Sequence, residues 1–151
     1  MYLSNVKPIN ILLVEDSLLD IKMVQEALSD GCVKNTLHVT MDGEDAMDFL
    51  RSTGKHANAP RPDLVLLDLN LPRKDGREVL TEMKSDPKLR RIPVIILTSS
   101  RAEEDIFKSY DLHVNCYVHK PIDAVQFLDK IKSISNFWLS VADLPSESSV
   151  K

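Results

Sequence analysis

The chain has 151 residues, of which 43% are hydrophobic and 28% charged, a composition that suits one globular domain and excludes an intrinsically disordered chain. Its net charge of −4 argues against a general nucleic-acid binder, which needs a basic face for phosphates. The sequence shows no secretory signal, no apolar run near the roughly 20 residues of a membrane helix, and no disulfide pattern in its two cysteines. We therefore expect a cytoplasmic protein that contacts neither membranes nor nucleic acids directly.

Short apolar runs alternate with longer segments of helical periodicity. The sequence predicts strands near Ile9 to Val14, Leu37 to Met41, Leu64 to Asp68, Val94 to Thr98 and Asn115 to Val118. It predicts helices near Leu18 to Ser29, Gly43 to Ser52, Gly76 to Ser85, Ala102 to Leu112 and Ile122 to Leu139. This alternation is typical of an α/β fold with a parallel sheet covered by helices on both faces. We expect one domain over residues 8–140 and a flexible tail over 141–151.

Capping residues mark several of the predicted helix starts. Ser17 precedes the first helix and Asp75 precedes the third, and an acid follows each of them three residues later, at Asp20 and Glu78. A side chain that caps the helix and an acid in the first turn both favour the positive end of the helix dipole. These pairs therefore fix where the helices begin.

Polar side chains stand at the ends of three predicted strands. Glu15 and Asp16 follow the first strand, Asp68 ends the unbroken apolar run of the third, and Thr98 ends the fourth. Parallel strands bring their carboxyl ends to one edge of a sheet, where ligands usually bind. Three carboxylates at one edge would repel each other unless a cation neutralised them, and Mg²⁺ prefers such oxygen ligands. The pattern predicts a magnesium site.

The same edge has the groups needed for phosphoryl transfer. Ionised Asp68 can attack phosphorus to form an acyl phosphate, Lys120 supplies a positive charge for phosphoryl oxygens, and Thr98 supplies a hydroxyl donor. Each residue alone has an ordinary structural explanation as a turn, a strand end or a solvated loop charge. Their joint placement after several strands favours a common site.

Four segments together resemble the receiver domain of a two-component response regulator, over roughly residues 8 to 135. They are Ile11-Leu-Leu-Val-Glu-Asp16, Leu66-Leu-Asp68-Leu-Asn-Leu-Pro72 with Asp75-Gly76 behind it, Pro93-Val-Ile-Ile-Leu-Thr98, and Tyr117-Val-His-Lys120-Pro121. The resemblance implies a flavodoxin-like, doubly wound (βα)5 fold with a five-stranded parallel sheet in the order 2-1-3-4-5. It also implies a phosphoacceptor signalling protein with at most slow self-dephosphorylation.

Residue roles follow from the same resemblance. Asp68 would accept a phosphoryl group from the phosphohistidine of a sensor histidine kinase. Asp16, Asp68 and the carbonyl of Asn70 would bind Mg²⁺, with Glu15 acting through water. Thr98 and Tyr117 would form the switch pair, and the Lys120–Pro121 peptide would be cis.

A narrower resemblance concerns the kinase. The segments Asn70-Leu-Pro-Arg-Lys-Asp-Gly-Arg-Glu-Val-Leu80, Tyr110-Asp-Leu-His-Val-Asn-Cys-Tyr117 and Phe137-Trp138-Leu139 are similar to those of small regulators paired with phytochrome-type histidine kinases. Members associated with cyanobacterial phytochromes carry serine after the lysine, where this chain has Pro121. The resemblance implies a phytochrome-type kinase as the partner.

The resemblance also implies a mode of output. A phosphoryl group adds nearly two negative charges, so Thr98 should move inward to bind it and Tyr117 should turn into the vacated space. The surface of the fourth helix, fifth strand and fifth helix would then change. Because few residues follow the last predicted helix, we expect a stand-alone regulator that signals by partner binding, homodimerisation through this surface, or phosphorelay. Phe137-Trp138-Leu139 could contact a partner or pack on its own domain.

Three other functions suit parts of the pattern. A haloacid-dehalogenase phosphatase also uses a strand-end aspartate with Mg²⁺, but it carries a second acid two residues later, where this chain has Asn70. A flavodoxin-like electron carrier needs a phosphate-binding loop rich in Ser, Thr and Gly after the first strand, where this chain has Glu15 and Asp16. A pseudo-receiver would bind partners without phosphorylation, although it would have no need for the complete set of acids, hydroxyl and lysine.

Overall fold

One parallel sheet of five strands organises the computed structural model, which describes residues 8–30, 34–99, 102, 104, 114 and 116–140. The strands are β1 (Ile9–Val14), β2 (Asn35–Thr40), β3 (Leu64–Asp68), β4 (Val94–Thr98) and β5 (Cys116–His119). Their order is β2-β1-β3-β4-β5, and each neighbouring pair is parallel. The predicted strand order is confirmed.

Four helices are described: α1 (Leu18–Asp30), α2 (Gly43–Arg51), α3 (Gly76–Ser85) and the C-terminal helix (Ala124–Ser140). A 3₁₀ turn at Gly54–His56 follows α2. Of the helix predicted over 102–112, only Ala102 and Glu104 are described, and both are helical. The rest of that prediction, and the tail over 141–151, lie outside the described residues.

Side-chain caps explain where three helices begin. The N–H of Asp20 donates to Ser17 Oγ at 3.3 Å, and the N–H of Glu78 donates to Asp75 Oδ1 at 3.1 Å, as the sequence predicted. The C-terminal helix begins two residues later than expected. Asp123 accepts the N–H groups of Val125 and Gln126 at 3.0 and 3.1 Å and therefore caps it.

The sheet is covered on both faces by apolar clusters. In β1, Leu12 and Val14 pack toward α2 and α3, whereas Ile11 and Leu13 pack toward α1 and the C-terminal helix. This alternation follows from the two-residue period of a strand. The strands therefore have buried faces on both sides, as a doubly wound α/β fold requires.

The loop that follows β3 lies close to the strand ends. A Cβ atom on Gly76 would come within 2.3 Å of the carbonyl oxygen of Asp68, so only glycine allows α3 to start there. The Gly76 N–H also donates to the carbonyl of Leu69 at 3.0 Å. The first turn of α3 is thereby held directly beside Asp68.

Within the described part of the chain, no helix is both long and apolar enough to cross a membrane.

Candidate functional site

Three carboxylates converge at the carboxyl edge of the sheet. Glu15 and Asp16 directly follow β1, and Asp68 is the last residue of the neighbouring β3. One oxygen from each of the three side chains lies within 4.8 Å of the others. Glu15 and Asp68 are only 0% and 3% exposed, whereas Asp16 is exposed. The predicted convergence of these three acids is confirmed.

Lys120 reaches this cluster from the far side of β4. Its Nζ lies 2.7 Å from Oε1 of Glu15, 3.0 Å from Oδ2 of Asp20 and 3.4 Å from Oδ2 of Asp68. The backbone holds the residue in place, because the Lys120 N–H donates to the Thr98 carbonyl at 2.7 Å. The Lys120–Pro121 peptide is cis, as expected. The Lys120 ammonium thus contacts three acids that all lie far before it in the sequence.

The electrostatics of Asp68 reflect this crowding. The pKa of Asp68 is raised to about 7, chiefly because the carboxyl is buried; the neighbouring Glu15 charge also raises this pKa, and Lys120 opposes the rise. The Asn70 N–H also favours the ionised form, because it donates to Asp68 Oδ1 at 3.3 Å. Burial alone would lower the pKa of Lys120, but its contacts to Glu15, Asp20 and Asp68 outweigh that effect and raise the pKa.

Thr98 and Tyr117 stand on the two strands at the other side of Asp68. Thr98 is the last residue of β4 and is fully buried. Tyr117 is half-buried in β5 and packs against the apolar cluster under α2 and α3. It is paired in register with Ile96 of β4, while His119 is paired with Thr98. Strand β4 therefore lies between Tyr117 and Asp68, and Tyr117 is not a member of the carboxylate cluster.

A divalent cation fits the donor set. Glu15, Asp16 and Asp68 offer only oxygen ligands, which a hard cation such as Mg²⁺ or Mn²⁺ accepts. Asp20 adds a fourth carboxylate near the single Lys120 ammonium, so acids outnumber this cation. Since two of the acids are almost fully buried, a bound cation would relieve their repulsion.

Asp20 is the site residue that the sequence interpretation missed. In the sequence, Asp20 stands out only as an acid in the first turn of α1, which favours the positive end of the helix dipole. The structure brings its carboxylate to Lys120, 100 positions later in the chain. The available signal is its position in the first turn of a helix that starts directly after Glu15, Asp16 and Ser17.

Residues 11–132 match the family described as the response regulator receiver domain. The chain therefore belongs to the response regulator receiver family, as its motifs indicated. Receiver domains are the phosphoacceptors of two-component signalling, so the chain is a signalling protein and not an enzyme in the usual sense. They also bind divalent metal ions, in agreement with the acidic cluster. Family membership decides against the haloacid-dehalogenase and flavodoxin alternatives.

Several relatives are regulators of phytochromes. Response regulator Rcp1 of Synechocystis sp. (strain ATCC 27184 / PCC 6803 / Kazusa) is 49% identical over 136 residues, which cover 90% of this chain and 92% of Rcp1. Its Mn²⁺-bound crystal structure has a TM-score of 0.76 and covers 92% of this chain and 100% of that one. The crystal structure of the phosphorylated cyanobacterial phytochrome response regulator RcpA is 55% identical, with a TM-score of 0.77, and covers 93% and 100% of the two chains.

A regulator of a bacteriophytochrome is also similar to this chain. The structure of the bacteriophytochrome response regulator AtBRR is 44% identical, has a TM-score of 0.80, and covers 88% of this chain and 96% of that one. The chain is thus a response regulator homologous to phytochrome response regulators, and the narrower resemblance noted in its sequence is confirmed.

Proposed function

We propose that Asp68 is the phosphoacceptor and receives its phosphoryl group from a phosphohistidine of a sensor histidine kinase. The observation that carries this proposal is the position of Asp68 at the end of β3, within 3.4 Å of the Lys120 ammonium and beside Glu15 and Asp16. An isolated strand-end aspartate would need neither the lysine nor the two further acids. A site that must accept a phosphoryl group needs both charge neutralisation and positioning.

Mg²⁺ is the metal that we propose for this site. Asp16, Asp68 and the carbonyl of Asn70 would hold it, and Glu15 would support it through water. When bound, the ion would neutralise charge on the carboxylates and on the incoming phosphoryl oxygens. The oxygen-only cluster and the Mn²⁺-bound structure of Rcp1 support a divalent cation, and Mg²⁺ is the one that commonly accompanies phosphates.

The protein groups have distinct parts in the transfer. One carboxylate oxygen of Asp68 forms a bond to phosphorus while the bond from phosphorus to the imidazole nitrogen breaks, and the imidazole leaves with that electron pair. Lys120 donates to one oxygen of the transferred phosphoryl group, and the Thr98 hydroxyl donates to another oxygen of the same group. Later attack of water on the phosphorus forms a new P–O bond, breaks the bond to Asp68 and releases inorganic phosphate, so Asp68 returns to its carboxylate in a slow self-dephosphorylation without substrate turnover.

Thr98 and Tyr117 are proposed as the switch that reports phosphorylation. Thr98 moves toward the phosphoryl group, and Tyr117 turns into the space that it leaves. Existing contacts connect these residues to the surface of β5 and its flanking helices. Lys130 of the C-terminal helix donates to the Tyr117 carbonyl, and His119 Nε2 lies 2.8 Å from Oε1 of the helical Glu104. Partner binding, homodimerisation or phosphorelay through this surface then carries the signal.

A phytochrome-type kinase in the cytoplasm is the proposed phosphoryl donor. The support is the similarity to Rcp1, RcpA and AtBRR, two of which are described as phytochrome or bacteriophytochrome response regulators. The receiver domain is proposed to extend over residues 8–140. Light-dependent phosphotransfer from a purified phytochrome kinase to this chain would test the pairing, and equal transfer from an unrelated histidine kinase would contradict it.

Acetyl phosphate tests the proposed chemistry without a kinase. The wild type should gain the mass of one phosphoryl group when Mg²⁺ is present and should gain none in EDTA. Asp68→Asn should gain none under either condition. Asp63→Asn is the matched control, because Asp63 stands at the opposite end of β3 and accepts the Asn10 N–H at 2.8 Å. An adduct on Asp68→Asn, or none on the wild type, would contradict the proposal and favour a pseudo-receiver.

A further inference from the structure

Asp20 has a place in the site that the proposed chemistry does not yet use. Its Oδ2 lies 3.0 Å from Lys120 Nζ, closer than the Asp68 oxygen at 3.4 Å. The side chains of Asp20 and Lys120 are only 16% and 14% exposed. A contact this well shielded holds an ammonium more firmly than an ion pair on the open surface.

The Lys120 ammonium forms ion pairs with three acids. An ammonium has three N–H donors and no acceptor. Glu15 and Asp20 stand at the two shorter distances, 2.7 and 3.0 Å, and the third contact is to Asp68. Because the lysine stem is long and flexible, the two closer carboxylates restrict where the ammonium can stand. With them in place, Lys120 Nζ lies 3.4 Å from Oδ2 of Asp68, the proposed phosphoacceptor.

The first turn of α1 connects Glu15 and Asp20 through Ser17. The Ser17 N–H donates to Oε2 of Glu15 at 3.0 Å, and Ser17 Oγ accepts the N–H of Asp20 at 3.3 Å. The Ile21 N–H donates to the Ser17 carbonyl at 2.9 Å and continues the first turn of α1. The start of α1 therefore fixes the Glu15 carboxylate and the backbone of Asp20, and the side chains of both residues contact Lys120.

We propose that Asp20 is a positioning residue, which orients the Lys120 ammonium toward the phosphoryl group on Asp68 without touching that group. The proposal rests on Asp68 being the phosphoacceptor. A competing expectation follows from charge alone. Removing a carboxylate near an incoming anion would strengthen anion binding, whereas removing a positioning residue would weaken it. The two ideas therefore predict opposite changes in anion affinity when the Asp20 carboxylate is removed.

Beryllium fluoride with Mg²⁺ is a suitable probe, because it binds an aspartate as a phosphoryl mimic. Calorimetric titration should give Asp20→Ala an affinity roughly tenfold lower than that of the wild type, the loss expected for one charge-assisted hydrogen bond. Asp20→Asn should recover most of the affinity, since its amide oxygen still accepts from Lys120. In a Lys120→Met background, Asp20→Ala should cause no further loss.

Glu78→Ala is the matched control for helix effects. Glu78 is the third residue of α3, as Asp20 is of α1, and the N–H of each is capped by the residue three positions earlier. Both alanine variants should lower the melting temperature slightly, but only Asp20→Ala should weaken the binding of beryllium fluoride. A purely structural role of Asp20 would make the two variants behave alike.

The outcomes separate this inference from the proposed function. Wild-type affinity or tighter binding in Asp20→Ala, or an equal loss in the Lys120→Met background, would contradict the positioning role alone. If the wild type bound no beryllium fluoride, the assignment of Asp68 would fall and the role of Asp20 with it.

Discussion

Oε1 of Glu15 lies 2.7 Å from Nζ of Lys120, and this buried ion pair is the link between the first and last strands of the site. Glu15 has no exposed surface, so an unpaired charge there would be costly. The pair holds the lysine beside Asp68, where the proposed phosphoryl transfer would need it. The site is thus largely preorganised in its unphosphorylated form.

Replacing Glu15 should change the acidity of Asp68. Burial contributes most to the raised pKa of Asp68, and the Glu15 charge adds to it. Glu15→Gln removes that charge and keeps a similar shape, so the pKa of Asp68 should fall below the wild-type value of about 7. A carbon-detected NMR titration of the Asp68 carboxyl in EDTA measures this. Glu44→Gln, in an exposed position on α2, should leave the pKa unchanged, and an equal shift in both variants would contradict the account.

Stability without metal should depend on pH through Asp68. The unfolded chain releases this proton near pH 4, whereas the folded chain keeps it to about pH 7. Folding therefore binds a proton between these values, and stability should decrease as pH rises through that window. Asp68→Asn should remove this decrease and be more stable than the wild type at pH 8, by on the order of 3 kcal/mol. Urea unfolding of both proteins at pH 5 and pH 8 in EDTA measures how the free energy of unfolding changes with pH. Parallel curves for the two proteins would disprove it.

Magnesium should stabilise the folded protein at pH 8. An ion that binds only the folded state at one hundred times its dissociation constant adds about 2.7 kcal/mol to the free energy of unfolding. The melting temperature of the wild type should therefore rise with Mg²⁺ concentration, whereas that of Asp16→Asn should rise much less. Glu26→Gln, an exposed substitution on α1, should respond like the wild type. An undiminished response in Asp16→Asn would remove that residue from the proposed ligands.

The C-terminal helix should depend on Phe127 for its attachment. Phe127 has no exposed surface and packs with Ile131 against the face of the sheet that α1 also covers. Phe127→Ala should lower the free energy of unfolding by about 3–5 kcal/mol. Val125→Ala is the matched control, because Val125 lies on the same helix and is 71% exposed, so its effect should stay within about 0.5 kcal/mol. Similar losses for both variants in urea unfolding would contradict the packing described.

The sequence was informative where its signals were local. Buried strands such as Leu64–Asp68 are continuous apolar runs, and Ser17 and Asp75 are recognisable caps, so these elements were predicted with their correct starts. The edge strand β2 begins at Asn35, two residues before its first apolar residue, because backbone pairing with Ile9 and not apolarity defines its start. Half-exposed edge strands lack a hydrophobic signal for such a boundary.

The site was predictable to the extent that strand ends determine it. Asp68, Glu15 and Asp16 follow their strands directly, so a parallel sheet is enough to bring them together. The contact between Asp20 and Lys120 depends instead on the direction of a side chain in the first turn of α1. Sequence spacing does not give that direction, because it depends on how the helix packs against the sheet.

Locating the phosphoryl group within the chain is the most direct test of the central claim. After reaction with acetyl phosphate and Mg²⁺, reductive trapping of the acyl phosphate and peptide mass spectrometry should identify one modified residue, Asp68. Modification at Asp16, Asp20 or another carboxylate in place of Asp68 would contradict the account.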